Sequence, residues 1–153
     1  MLKIVLFQPE IAGNVGAIIR NCAVFGADLH IIEPCGFPFD INRIKKSALD
    51  YLQYVKIFRH QSFDVFLEAN LQPKNSRLIL ATTKASDNLF DFKFLENDFI
   101  IFGTESSGAP KHVHNSADFR VKIFMEGVFR SINIATSTGI FLAKASNDVK
   151  IKL

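Results

Sequence analysis

Four short apolar runs limit this chain more than any other feature: KIVLF (Lys3–Phe7), DLHII (Asp28–Ile32), RLILATT (Arg77–Thr83) and DFIIF (Asp98–Phe102). Each is nearly continuous rather than alternating in polarity, the pattern of β-strands covered on both faces. Two weaker runs, Tyr54–Phe58 and Phe119–Phe124, read the same way. Helical patterns lie between them. Val15, Ile18, Ile19 and Cys22 recur at i, i+3, i+4 and i+7, one buried stripe. Ser62 predicts the cap of a helix running to about Asn70, with Val65, Phe66 and Ala69 inward. A closing helix is expected from about Ile132 to Asn147, with Ile140, Phe141, Ala143 and Lys144 around its last turns. Strands alternating with helices predict an α/β fold, a mostly parallel sheet flanked by helices.

The 153 residues suit a single domain, 1–153, and 48% hydrophobic content excludes a disordered chain. Sixteen Phe and no Trp suggest a core and an interface built on benzyl side chains. No apolar run approaches the roughly 20 residues that span a bilayer, so no membrane partner is expected. One Lys followed by Gln-Pro-Glu predicts no signal peptide. Cys22 and Cys35, outside any Cys-rich spacing, read as reduced thiols, and the protein is expected in the cytoplasm. His112 and His114 form an H-x-H without a carboxylate or Cys at ligand spacing, so no metal site is expected. The net charge of +3 permits an RNA partner without demanding one.

Three polar loops leave the ends of predicted strands, where open α/β sheets bind ligands. The first is PEIAGNVGAIIR (Pro9–Arg20). Its glycines lack the third member of a dinucleotide fingerprint, and no P-loop Lys-Ser/Thr follows. The second is IIFGTESSGAP (Ile100–Pro110), where Gly103 either caps a strand or lets another molecule approach the backbone. In the third, KIFMEGVFRSINIATS (Lys122–Ser137), Ser131 is either a helix N-cap or a ligand contact. Arg43, Lys45, Lys46, Arg59 and His60 read equally as phosphate contacts or a solvated basic face.

Asn14-x-Gly16-x-x-x-Arg20, the F-G-x-E-S-x-G-x-P run from Phe102 to Pro110 and the R-S-x-N run from Arg130 to Asn133 together resemble the SPOUT superfamily of knotted RNA methyltransferases. Almost the whole chain shares the likeness, and RIKKSALDY (Arg43–Tyr51) resembles a basic segment of the bacterial tRNA 2′-O-methyltransferases that act on the wobble nucleotide. The resemblance implies a C-terminal trefoil knot, S-adenosylmethionine as cofactor, the anticodon region of tRNA as partner, and a homodimer. It assigns Arg20, Asn14 and Glu105 to catalysis, with Arg20 borrowed by the partner's site. Ala81, Gly103, Ile123, Ser131 and Asn133 fall at cofactor contacts, and Arg43, Lys45 and Lys46 at RNA contacts. A related enzyme acting on another tRNA or rRNA nucleotide, or a non-catalytic RNA-binding homologue, stands as the alternative. Thr104 and Ser107 occupy places where many relatives carry a basic residue, and Gly13 stands where a proline is common.

Overall fold

The computed structural model describes residues 1–71 and 75–150. Their elements are β1 (Lys3–Phe7), α1 (Ala12–Phe25), β2 (Asp28–Ile32), α2 (Ile41–Ala48), a 3-10 turn (Leu49–Tyr54), β3 (Ile57–His60), α3 (Phe63–Asn70), β4 (Leu78–Ala81), β5 (Asp87–Asn88), β6 (Phe99–Phe102), α4 (Lys111–Ser116), β7 (Phe119–Lys122) and α5 (Ile134–Lys150). The strands form one sheet in the order β3-β2-β1-β6-β4-β7-β5, with every neighbouring pair parallel. The order reverses beside β1: the chain builds outward to β3, then crosses to β4 and leaves the slot that β6 fills.

Alternate side chains of the central strands feed two cores, as the apolar runs predict. Ile4, Leu6, Ile100 and Phe102 meet α1 and α5 residues such as Ile18, Ile19, Phe141 and Leu142 on one face. Val5, Phe7, Phe99 and Ile101 meet Phe63, Phe66 and Val113 of α3 and α4 on the other. The α1 stripe of Val15, Ile18, Ile19 and Cys22 is fully buried. Burial, then the charge of Asp28, pushes the Cys22 thiol up to about 12, so it is an inert core group.

The elements depart from expectation where few buried residues define them. Tyr54 ends the 3-10 turn instead of opening a strand, and β3 runs later, along an edge that is only half covered. Two helices, α2 and α4, have little apolar periodicity to announce them; α2 buries only Ile44 and Ala48, and α4 only Val113. In α3, Ser62 does cap the helix, accepting from the Val65 amide. Phe66 points inward as expected, together with Phe63, their rings packing on Phe99 and Phe7, while Val65 and Ala69 face solvent. In α5 the inward residues include Thr138, Phe141, Leu142 and Ala145, while Ala143 is exposed. Asp148 anchors this helix, accepting from Lys144 Nζ at 2.6 Å and from the Phe94 amide at 3.0 Å.

Candidate active site

A cavity of about 460 Å³ opens beyond the carboxyl ends of β4, β6 and β7 and is closed by the start of α5. All five residues predicted for a cofactor line it: Ala81, Gly103, Ile123, Ser131 and Asn133. Asn14 and Glu105 line it too. Four separate segments converge there because parallel strands bring their carboxyl ends to one edge of the sheet. A hollow of about 800 Å³ across the β6 loop, bordered by Glu33 and Asp64, contains none of the predicted site residues.

The wall from the first loop and the β6 loop is tied by two crossed carboxylates. Glu105 accepts from the Glu10 amide at 2.9 Å, the Ile11 amide at 3.3 Å and Asn14 Nδ2 at 3.4 Å. Ile11, the N-cap of α1, has no side-chain cap of its own, so Glu105 supplies an anion to the helix start from across the fold. Glu10 returns the contact, accepting from the Ser106 amide at 3.1 Å and from Ser106 Oγ at 2.7 Å. Between these loops, Thr104 and Gly108 exchange amide hydrogen bonds, and the hydroxyls of Thr104 and Ser107 lie 2.9 Å apart. At the two positions where the resemblance leads to an expected basic residue, this loop closes on itself.

The glycines are explained by the protein's own packing. A Cβ on Gly103 would fall 2.2 Å from the Ala109 nitrogen, so the β6 loop can fold back only over a glycine. A Cβ on Gly16 would meet Ser47 Oγ at 1.8 Å and the Ile44 carbonyl at 2.8 Å. Gly16 therefore serves the crossing of α1 and α2, not a phosphate cradle.

Ser131 does not cap α5. Asn133 does, its Oδ1 accepting from the Ala135 amide at 2.8 Å and the Thr136 amide at 3.3 Å. Asn133 Nδ2 also donates to Asn14 Oδ1 at 3.2 Å, linking the third loop to the first. Ser131 is exposed on the cavity lining with no hydrogen bond of its own among those of the described residues.

Arg20 is not at this cavity. It is exposed on α1, its guanidinium 5.5 Å from the Tyr51 ring centre. Six residues beyond Asn14, it lies about 9 Å further along the helix axis and faces about 120° away. Arg43, Lys45 and Lys46 are exposed on α2, also outside the cavity. Lining residues that the sequence reading did not assign to the site include Lys84, His114, Lys122 and Arg130. Burial, then the charges of Lys84 and Arg120, lowers the pKa of His114 and favours its neutral ring. Among the described residues, no group of three His, Cys, Asp or Glu could hold a metal ion, and no helix is long and apolar enough to cross a membrane.

The sequence pattern of the SpoU rRNA Methylase family matches residues 1–143. A tRNA (cytidine(34)-2′-O)-methyltransferase of Beijerinckia indica is 40% identical over 144 residues, 94% of this chain and 89% of that protein. A solved structure bearing on the 2-OH methylation of C/U34 on tRNA is 36% identical and superposes with a TM-score of 0.93, covering 99% of this chain and 98% of that one. The SpoU methyltransferase AviRb of Streptomyces viridochromogenes, solved with AdoMet, shares the fold at a TM-score of 0.88 and 22% identity, over 99% of this chain and 58% of that one.

Proposed function

The chain belongs to the SpoU rRNA methylase family, and from that premise we propose that it methylates the ribose 2′-hydroxyl of nucleotide 34 in tRNA, a cytidine or modified uridine, with S-adenosylmethionine as methyl donor. One observation supports this above the others: residues from three distant segments, after β4, after β6 and between β7 and α5, chosen for a donor site, line a single cavity. Relatives with that activity match nearly the whole chain.

The residues present fit such a donor. About 460 Å³ is the size of a small-molecule cleft. Phe102, Ile123 and Phe141 offer apolar wall for a flat base, while Ser131 offers a hydroxyl not already used. Ala81, Gly103, Ile123, Ser131 and Asn133 would hold the donor, which when bound supplies an electrophilic methyl group. Asn14 and Glu105 keep the two loops in register, so the entrance is shaped before ligand arrives.

Arg20 orients the ribose and stabilises the charge that develops on the 2′-oxygen as its proton leaves to water. With a pKa above about 12, a guanidinium is a poor base, and alignment supplies much of the acceleration in such a transfer. Because Arg20 faces away from its own cavity, it serves the cavity of a second protomer. Val24 at 65% exposed and Tyr54 at 72%, on α1 and the 3-10 turn beside it, give that homodimer an apolar surface. Arg43, Lys45 and Lys46 contact tRNA phosphates. In this reading α5 closes a trefoil knot behind the cavity, and the enzyme works in the cytoplasm on tRNA.

The test is methyl transfer from tritiated S-adenosylmethionine into tRNA, with the product mapped by nuclease digestion. Label as a 2′-O-methyl at nucleotide 34 is expected. Donor binding without transfer would indicate a non-catalytic homologue, and label at another position would refute the substrate assignment.

A further inference from the structure

The segment joining β7 to α5 exposes more large apolar surface than any stretch of its length among the described residues: Phe124 is 66% exposed, Val128 93% and Phe129 76%. Cations are interleaved with these side chains. Lys122 holds its Nζ 5.9 Å from the centre of the Phe124 ring, and Arg130 follows Phe129 directly. Lys122, Arg130 and Lys84 all reach the cavity lining, and none is in an ion pair among the described residues. Of the nearby anions, Glu105 is engaged by two amides and Asn14, and Asp87, opposite Val121 on β5, accepts from Ser86 Oγ, while Glu126 is the lip's own carboxylate. Three cations against the two carboxylates of Glu126 and Asp87, set among exposed rings, leave a net positive lip complementary to single-stranded nucleic acid: bases have faces to stack and phosphates have charge to neutralise.

We propose that this lip, Lys122 to Arg130 together with Lys84, grips the single-stranded RNA on either side of the methylated nucleotide. Phe124 and Phe129 stack on flanking bases, and Lys84, Lys122 and Arg130 neutralise phosphates. The proposal rests on the RNA-methylating function given above and adds how its substrate is held.

The experiment measures binding of an unmodified tRNA transcript across a salt series, with light scattering and donor calorimetry on the same samples. Phe129→Leu keeps the bulk and loses the aromatic face, so affinity should fall on the order of tenfold, while Phe129→Tyr should retain it. The triple variant Lys84→Ala, Lys122→Ala, Arg130→Ala should flatten the slope of log K against log salt by about 2, at roughly 0.7 per phosphate contact. Dimer mass and donor affinity should match the parent in both Phe129 variants. Parent-like tRNA affinity in Phe129→Leu, or an unchanged salt slope in the triple variant, would overturn the proposal. A loss of RNA affinity that follows dimer dissociation would make the lip a protein interface, and a loss of donor affinity would make it part of the donor pocket; either result overturns it. A parent protein that binds no tRNA would instead remove the functional reading beneath it.

Discussion

The two walls of the cavity are built on opposite plans. The wall from the first loop and the β6 loop is held by crossed carboxylates, Glu105 onto the start of α1 and Glu10 onto Ser106. The wall from the lip between β7 and α5 leaves Phe124, Val128 and Phe129 in water. A wall whose polar groups are mutually satisfied is shaped before any ligand binds, and its disruption costs folding free energy. A wall that leaves large apolar side chains exposed contributes little to folding and has most of its interactions still to make. Substitutions should therefore register as stability on one side and as binding on the other.

Gly103→Val should break the first wall most severely. Its side chain would meet the Gly108–Ala109 backbone, and a collision with main chain cannot be relieved by a rotamer change. A loss on the order of 3 kcal/mol is expected, lowering Tm by roughly 6–12 °C and abolishing donor binding. Unchanged melting with lost donor affinity would instead mean that the glycine serves the ligand and not the loop.

Acid should weaken the frame behind both walls. His30 is 4% exposed, packed on Phe58, Phe66 and Phe99, with its Nδ1 2.9 Å from His60 Nε2. Burial, then the neighbouring His60 and Lys3, lowers its pKa to about 4. The unfolded chain therefore binds more protons between pH 6.5 and 4. Stability should be intact above that window and fall within it as the pH drops, by on the order of 2 kcal/mol. Denaturant melts across this range check it, and His30→Phe should flatten the slope.

Glu105→Ala removes the borrowed cap of α1, worth about 1 kcal/mol, and should lower Tm by roughly 2–4 °C. Glu105→Gln, which keeps an acceptor oxygen, should fall between. The matching change on the other wall, Val128→Ser, should alter stability by no more than about 0.5 kcal/mol. If the two walls cost the same by calorimetry, the contrast between them is wrong.

The legibility of these features in the sequence follows the same division. Strands β1, β2 and β6 are readable because continuous apolar runs leave little choice; the five positions that the resemblance implies for a donor line one cavity because they lie at or beyond the carboxyl ends of neighbouring strands. Helix α2, with only Ile44 and Ala48 buried, carried too few apolar residues to show a period. The cap at Ser62 and the burial of Phe66 in α3 are legible, but the rest of its inward face is set by Phe63, whose ring packs on Phe7 and Phe66, and not by Val65 and Ala69. Glu105 could not be read as the cap of α1, since the partners lie 94 and 95 residues apart. Nor could Ser131 and Asn133 be ranked as caps, because both types cap helices and only coordinates choose between them. Lys84 and Lys122 were hidden at strand ends, where periodicity does not tell a cavity rim from ordinary surface.

The central claim is a division of labour in which the cavity holds the donor and Arg20, outside it, serves the ribose. Arg20→Ala tests it most directly, with S-adenosylmethionine affinity by calorimetry and single-turnover methyl transfer to tRNA measured on one folded, dimeric preparation. Donor affinity should stay near that of the parent while transfer falls on the order of a hundredfold to a thousandfold. Lost donor affinity with the dimer intact, or transfer at the parental rate, would contradict the account.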